Sequence, residues 1–229
     1  LDKDFRYERK FVIPDEIRSS FINNFIEHNS IGIKKIYEDR IVNSIYFDTH
    51  NFSFLNQNIE GSSRRTKVRT RFYGNINSST QPSLEYKNKD GLSGWKDIFK
   101  LNVKVASFNL KNIYQIAIDS GVPLEKAQLL MGVQPTIFCS YKRKYYLSKC
   151  KRYRFTYDYD INYNLLLGSD TLTNIKYNAI SSDRNILELK YDLKDHENSH
   201  EMIKDIPIRI CKNSKYVEGL YLTGLISKE

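Results

Sequence analysis

The sequence predicts an α+β domain in which strands close into a β-barrel with charged faces inward and helices packed outside. Segments that alternate charged and apolar residues recur along the chain, and their charged faces carry both signs. Helical stripes of apolar residues separate these segments. A closed barrel would point the charges inward, whereas a single flat sheet would leave them in water. Because carboxylates and cations can serve one bound ligand together, we favour the barrel.

The segment 65–72 is the most informative of the predicted strands. It places four cations on one face and four β-forming residues on the other. Four cations in one row repel each other unless water or an anion separates them. A solvated outer face would explain one such strand, but the pattern is repeated elsewhere. The four cations are Arg65, Lys67, Arg69 and Arg71.

Five further segments are predicted to be strands with one charged face and one apolar face. Their charged faces contain Glu8 and Lys10, Glu85 and Lys87, Lys96 and Lys100, Asp158 and Asp160, and Glu188 and Lys190. The segments are 5–11, 84–89, 95–101, 152–163 and 187–193.

Four helical segments are predicted between or after these strands. Pro14 and two acidic residues begin the first, which carries apolar residues at helical spacing to Ile26. The second runs from about 109 to 120, and the third from 123 to 131. Asn213 or Ser214 caps the last. We expect their apolar stripes to pack in the core rather than against a partner or a membrane.

Composition limits the class of protein. The 229 residues contain no linker, repeat or low-complexity tract, which predicts one domain over 1–229. A formal charge of +9 favours an anionic partner. Cys139, Cys150 and Cys211 form no metal-ligand spacing and cannot all pair, which suits a reducing compartment. With no apolar run near 20 residues and no visible signal peptide, a cytoplasmic location is expected.

Seven short motifs follow one another along nearly the whole chain. They are RYERKF at 6–11, SIYFD at 44–48, KVRTRFYG at 67–74, LEYK at 84–87, YKR at 141–143, LELK at 187–190 and SKY at 214–216. In this order they resemble the polyphosphate polymerase domain of the vacuolar transporter chaperone (VTC) family, within the triphosphate tunnel metalloenzymes. The resemblance implies an antiparallel barrel of about eight strands that encloses a charged tunnel.

The resemblance also implies a phosphate-binding site made of many cations. Arginine forks bind phosphate oxygens in a bidentate manner and lysines act as point charges, so this composition suits a triphosphate. The implied catalytic residues are Arg69, Arg71, Arg143 and Lys215. The predicted phosphate- or nucleotide-binding residues are Lys10, Lys67, Lys87, Lys96, Lys100, Tyr141, Lys190 and Ser214.

A divalent metal, Mn²⁺ or Mg²⁺, is the implied cofactor, because a carboxylate-bound cation can bridge phosphate oxygens. The resemblance implies Glu188 as its ligand, and the inward face of the first strand makes Glu8 a second candidate. Two other carboxylates, Asp158 and Asp160, either bind metal or neutralise the arginines that precede them. Glu188 and Lys190 have a second interpretation as a structural ion pair, and Tyr141 has one as ordinary packing.

The predicted reaction is attack of the terminal phosphate of a growing polyphosphate chain on the γ-phosphate of ATP, which releases ADP. Hydrolysis in the same tunnel, as in the CYTH branch of triphosphatases, is the first alternative. That branch typically begins with Glu-x-Glu-x-Lys, and Arg6 replaces the first Glu here, which favours the polymerase. A non-catalytic module for polyphosphate, nucleotide or RNA is the second alternative. Most aromatic residues alternate away from the charges, so we expect no nucleic-acid partner.

Overall fold

A computed structural model describes residues 6–28, 32–77, 80–91, 93–172, 179–204 and 206–227. The chain divides into two compact units, each assembled from segments far apart in sequence. Unit 1 contains Leu1–Arg40, Tyr141–Ile161 and Ser181–Asn213. Unit 2 contains Ile41–Ser140, Asn162–Ile180 and Ser214–Glu229. The single domain over 1–229 stays a prediction.

The described strands form a nine-stranded sheet. Its order is β1-β9-β7-β6-β2-β3-β4-β5, with β8 beside β7. The register is antiparallel for β1 with β9, β9 with β7, β2 with β3, β3 with β4, and β4 with β5. The strands are β1 (Arg6–Pro14), β2 (Lys34–Thr49), β3 (Arg64–Tyr73), β4 (Ser83–Asp90), β5 (Ser93–Lys100), β6 (Val133–Leu147), β7 (Arg154–Leu165), β8 (Ile180–Ser181) and β9 (Arg184–Asp192).

The antiparallel α+β fold is confirmed by this sheet and the helices that accompany it. Within the described part of the chain, the strand order starts at β1 and ends at β5 without a pairing between these two strands. Closure into a barrel is therefore not confirmed and stays a prediction.

The described helices are short. They are α1 (Arg18–Phe21), α2 (Ser53–Ile59), α3 (Ile113–Asp119), α4 (Leu124–Ala127) and α5 (Lys215–Leu222). The predicted first helix is an irregular run in which a 3₁₀ turn, Asp15–Ile17, precedes α1 and a π-helical turn, Ile22–Glu27, follows it. Further 3₁₀ turns cover Val105–Ser107, Leu110–Asn112, Gln128–Leu130, Leu193–Asp195 and Glu197–His200. None of the helices in the described residues is long and apolar enough to cross a membrane.

The alternation predicted for the segment 65–72 is present in β3. Val68, Thr70 and Phe72 are buried, whereas the four cations between and before them are partly exposed. The apolar face packs in unit 2 on β4 and on the helices α3 and α4, where Ile113 and Ala127 are fully buried. The alternation therefore separates a core face from a charged face, as the sequence predicted.

Unit 1 has a core of its own. The apolar residues of β1, β7 and β9, with Phe11 and Leu189 among them, pack together with Phe21 and Phe25 of the irregular helical run. Phe21 and Phe25 of the predicted apolar stripe are therefore core packing, whereas Ile17 is 40% exposed. The segment after the last 3₁₀ turn also covers the outer edge of β1, because Phe11 forms a β-bridge with Ile210.

Helix α5 packs tightly within unit 2 at a glycine. A Cβ atom at Gly219 would lie 2.6 Å from Tyr163 Cδ1 and 3.0 Å from Ile137 Cγ1. The helix can approach these two strand residues only because Gly219 has no side chain. This close packing fixes the start of α5, where two of the predicted site residues lie.

Candidate functional site

The largest concentration of predicted site cations lies on one face of β3, β4 and β5, within unit 2. Lys67 lies opposite Lys87, which in turn lies opposite Lys96. A second row joins Arg71 to Lys100 through the intervening strand. Directly opposed side chains have Cβ atoms about 5 Å apart, so these like charges repel unless an anion lies among them. We name this surface the cationic face, and it comprises Lys67, Arg69, Arg71, Lys87, Lys96 and Lys100.

One buried carboxylate, Glu85, lies at the centre of the cationic face. Arg69 donates to it through Nε at 2.8 Å and through Nη2 at 2.7 Å, and Lys96 Nζ lies 3.1 Å away. Burial by itself would raise the pKa of Glu85, but the charges of Arg69, Arg71 and Lys96 outweigh it and lower the pKa to about 2. Glu85 is therefore ionised at neutral pH and aligns two of the cations.

Arg69 is held on its other side by a tyrosine. Its Nη1 donates to Tyr46 Oη at 3.3 Å, and its side chain is only 18% exposed. Tyr46 lies opposite Arg69 on the neighbouring strand β2. The guanidinium is thus fixed by a carboxylate from β4 and a hydroxyl from β2, which sets its orientation before any ligand binds.

The start of α5 joins the cationic face through Ser214. The Ser214 side chain caps the helix by accepting from the backbone N–H of Val217 at 3.5 Å. Its Oγ also accepts from Lys67 Nζ at 2.8 Å. Lys215 is the first residue of α5 and is half-buried beside this contact. Two residues of the predicted site are therefore attached to the cationic face by a helix cap.

A fully buried aspartate, Asp48, supports this helix start. Tyr216 Oη donates to Asp48 Oδ2 at 2.6 Å, and the backbone N–H groups of Phe54 and Leu55 donate to the same carboxylate at 2.9 Å. Burial, together with the Asp48 charge, raises the pKa of Tyr216 well above its usual range. Asp48 therefore joins the first turns of α2 and α5.

The second group of predicted residues lies in unit 1, on β1 and β9. The register places Glu8 opposite Lys190 and Lys10 opposite Glu188, so the signs alternate in both directions. Lys10 Nζ lies 2.9 Å from Glu8 and 4.0 Å from Glu188, and Lys190 Nζ lies 2.5 Å from Glu188 and 4.0 Å from Glu8. The structural pairing of Glu188 with Lys190 is therefore present, within a four-membered network.

Glu188 is the more buried of the two candidate metal ligands, with 8% of its side chain exposed against 28% for Glu8. Burial would raise the pKa of Glu188, but the charges of Lys190, Lys10 and Arg143 keep it well below its usual range. It is a permanent anion whose oxygens already have cationic partners.

The donor set tests whether a divalent metal fits. No group of three or more His, Cys, Asp or Glu side chains with metal-binding geometry occurs in the described residues. Glu8 and Glu188 nevertheless supply two carboxylates, and Mg²⁺ is commonly held by one or two carboxylates together with waters and substrate phosphates. These residues therefore fit a cation that binds jointly with phosphate, and not an all-protein metal cage.

Arg143 completes the unit 1 group from β6. Its Nε donates to Asp158 Oδ1 at 2.5 Å and its Nη2 to Asp158 Oδ2 at 2.8 Å. The guanidinium carbon lies 5.2 Å from the centre of the Tyr141 ring, and Tyr141 is almost fully buried. Asp158 is thus the partner of Arg143 and not of the arginines that precede it. Asp160 pairs with Arg18 and Lys142.

The structure distributes the predicted residues between two groups. The cationic face and the start of α5 contain all those in unit 2. The unit 1 group, which we name the carboxylate cluster, contains Glu8, Lys10, Tyr141, Arg143, Asp158, Glu188 and Lys190. Their roles in chemistry stay predictions, while their positions are consistent with the alternating faces.

Three supporting residues were not predicted as part of the site. Glu85 is on the charged face of its segment, but the sequence does not show that its side chain is buried beside Arg69. Asp48 lies in the motif at 44–48, but its partner Tyr216 is distant in sequence. Tyr46 is in the same motif, and a tyrosine in a strand gives no signal of a site. The sign of Glu85 among cations was the one signal that pointed to it.

The class of protein is defined by an antiparallel sheet with accompanying helices, by the cationic face and by the carboxylate cluster. The family model of the VTC domain matches residues 5–223. The chain belongs to the VTC domain family. No curated protein matches it.

Several solved structures of low sequence identity are similar to this chain, and the one with a TM-score above 0.5 shares its fold. A protein from Hippeastrum, provisionally named an adenylyl cyclase and described as having a dominant triphosphatase activity, has a TM-score of 0.56 and 12% identity, with 95% of each chain covered. A protein from Vibrio parahaemolyticus, provisionally named an adenylate cyclase, has a TM-score of 0.49 and 11% identity over 93% of this chain and 96% of that chain. A protein from Pyrococcus horikoshii has a TM-score of 0.48 and 11% identity over 93% of this chain and 97% of that chain.

Proposed function

We propose that this VTC domain is a polyphosphate polymerase that transfers the γ-phosphate of ATP to a growing chain of inorganic polyphosphate. The observation that carries the proposal is the cationic face, where six cations share one side of the sheet with the buried carboxylate of Glu85. An excess of positive charge of this size attracts a polyanion such as a chain of linked phosphates. Membership of the VTC family supports this substrate class.

Arg69 and Arg71 hold the transferred phosphate in this proposal, because their forks suit phosphate oxygens. Arg69 is already oriented by Glu85 and Tyr46, so little reorganisation accompanies binding. Lys67, Lys87, Lys96 and Lys100 would bind neighbouring phosphates as point charges. Phosphoryl transfer requires positioning and charge neutralisation more than covalent chemistry, and these residues provide both.

Lys215 and Ser214 are proposed to contact phosphate at the start of α5. A lysine in the first turn of a helix is unfavourable for the helix dipole, which supports a role other than helix stability. Ser214 keeps its hydroxyl at the cap while Lys67 donates to it. A phosphate bound there would accept from Lys67 and Lys215 together.

In the carboxylate cluster, Glu188 and Glu8 would hold Mn²⁺ or Mg²⁺ and Arg143 would bind phosphate. When bound, the metal neutralises charge on phosphate oxygens. Lys10 and Lys190 pair with these carboxylates in the described structure, so phosphate would become their alternative partner when metal binds. A closed tunnel and a cytoplasmic location stay predictions.

Hydrolysis is the second candidate, since the Hippeastrum protein described as having a dominant triphosphatase activity has a similar fold. Its 12% identity supports the fold alone. The same cations would bind the same triphosphate, and water would replace the phosphate acceptor. The replacement of the first glutamate of the CYTH pattern by Arg6 favours the polymerase.

The test is incubation of the purified protein with ATP and Mn²⁺, followed by assays of long polyphosphate, ADP and free phosphate. The proposal predicts long polymer and one ADP for each phosphate incorporated. Free phosphate without polymer would replace it with the triphosphatase. Tight tripolyphosphate binding without either product would replace it with a non-catalytic binding module.

A further inference from the structure

Arg143 of β6 and Asp158 of β7 form a buried ion pair, and its geometry indicates a role for Asp158. Asp158 is fully buried, and both of its carboxylate oxygens accept from one edge of the Arg143 guanidinium, formed by Nε and Nη2. Arg143 itself is 13% exposed. Two parallel hydrogen bonds between planar groups fix the direction of the guanidinium more strictly than one bond does. The pair is therefore a rigid support.

The other edge of the Arg143 guanidinium, which carries Nη1, is directed away from Asp158. Within the described residues, no hydrogen bond from Nη1 to the protein is found. The Tyr141 ring at 5.2 Å restricts the plane of the guanidinium from a second direction. An arginine held on one edge and one face presents its remaining N–H groups in a fixed direction, which suits an anionic ligand.

A buried hydroxyl on the same strand as Asp158, without a partner in the described residues, is consistent with a ligand near this pair. Glu188 contributes to the electrostatic environment of Arg143, and Glu188 is itself surrounded by Lys10 and Lys190. The Oγ1 atom of Thr156 lies opposite Glu188 in the register, is buried, and has no hydrogen-bond partner in the described part of the chain. A buried hydroxyl of this kind is costly unless a ligand or a water satisfies it.

We propose that Asp158 is a positioning residue that holds Arg143 ready for a phosphate group, and this rests on the phosphate chemistry of the proposed function. Direct metal binding by Asp158 is disfavoured, because the carboxylate is fully buried and both of its oxygens already accept from Arg143. Asp158 acts through Arg143 and touches no substrate.

A double-mutant cycle tests this through tripolyphosphate binding, measured by calorimetry at a temperature at which all variants are folded. Asp158→Asn and Arg143→Lys are each expected to weaken binding about tenfold. In the Arg143→Lys background, Asp158→Asn is expected to add less than about twofold, because its effect passes through the arginine fork. Asp158→Glu restores the charge and should recover part of the affinity.

Asp160→Asn is the matched control. It lies on the same strand, its side chain is 38% exposed, and its partners are Arg18 and Lys142. Its φ of 51° is one that asparagine tolerates. Binding should be unchanged in this variant.

The role of Asp158 would be overturned if the losses of tripolyphosphate affinity simply add in the double variant. Unchanged binding in Asp158→Asn would overturn it as well. If Asp158→Asn does not fold, Asp158→Ser takes its place in the cycle with the same criterion. Coupled losses in a protein that makes no polymer would keep the role of Asp158 and reject the polymerase.

Discussion

The cationic face and the carboxylate cluster are built alike but differ in charge balance. Each lies on the charged side of alternating strands, and each contains a buried glutamate with a lowered pKa. The cationic face has six cations and Glu85. The carboxylate cluster has three cations (Lys10, Arg143 and Lys190) and three carboxylates (Glu8, Asp158 and Glu188).

The difference predicts a division of roles. A surface with five excess positive charges binds a polyanion without any carboxylate having to move. A balanced cluster can bind metal only if its lysines exchange carboxylate for another anion, such as phosphate. The cationic face should therefore supply most of the metal-free phosphate affinity, and Glu8 and Glu188 of the carboxylate cluster should control the dependence on metal.

The largest expected effect is that of Arg69→Ala. Loss of a pre-oriented fork from the cationic face should lower the rate of polymer synthesis at least about a hundredfold. Arg64→Ala is the matched control, because Arg64 is on the same strand, is 84% exposed at its side chain and pairs with Asp90. Initial rates with ATP and Mn²⁺ measure both. Wild-type synthesis by a folded Arg69→Ala protein would remove Arg69 from the site.

Glu188→Gln should act mainly on metal dependence. We expect the Mn²⁺ concentration for half-maximal activity to rise by about tenfold or more, because one of two carboxylate ligands is lost. Glu201→Gln, an exposed glutamate of unit 1 paired with Lys204, serves as the control. A metal titration of activity is the measurement. An unchanged midpoint would mean that Glu188 is a structural partner of Lys190.

Glu85→Gln should change how stability depends on pH. The pKa of Glu85 is lowered from 4.5 to about 2, so its ion pairs stabilise the fold fully above about pH 4.5 and are lost as pH falls toward 2. Relative to the variant, the wild type should lose roughly 3 kcal/mol of unfolding free energy over that interval.

Urea unfolding at a series of pH values checks this difference. Glu125→Gln, a glutamate in the first turn of α4, is the control and should follow the wild type. Parallel pH profiles for wild type and Glu85→Gln would show that Arg69 and Lys96 do not hold Glu85 ionised.

The smallest effects are expected from two buried threonines. Thr156 and Thr70 both have a buried Oγ1 atom without a partner in the described residues. Thr156 lies opposite Glu188, whereas Thr70 lies opposite apolar residues of β2 and β4. Thr156→Val should weaken tripolyphosphate binding about threefold, and Thr70→Val should leave it unchanged.

Calorimetric titrations of both threonine variants provide the comparison. Each should unfold at the wild-type temperature or slightly above it, because a buried hydroxyl without a partner costs stability. Equal binding losses in the two variants would contradict the assignment of Thr156 to the charged side.

Alternation was sufficient to predict which side of β3 is charged, because a period of two separates the faces of any strand. The four predicted helical segments lie where the sequence placed them, but helix α2 was not predicted. The π-helical turn after α1 was not predicted either, because local spacing does not display its hydrogen bonds. Strands β2 and β6 extend well beyond the short motifs that marked them, since exposed and buried stretches share one strand.

The alternation and spacing of residues could not predict contacts between residues that are distant in sequence. Lys67 and Ser214 are 147 residues apart, and only the packing of α5 brings them together. The partner of Asp158 is Arg143 and not a nearer arginine, because strand pairing, rather than proximity in sequence, decides which side chains meet. The burial of Glu85 is likewise a property of the assembled sheet.

The most direct test of the division of roles is a metal-free titration with tripolyphosphate, comparing Arg69→Ala and Glu188→Gln with the wild type. We predict that the wild type binds without metal, that Arg69→Ala loses most of the affinity, and that Glu188→Gln keeps it or binds more tightly. Loss of metal-free binding in Glu188→Gln, with wild-type affinity in Arg69→Ala, would contradict the division of roles between the cationic face and the carboxylate cluster.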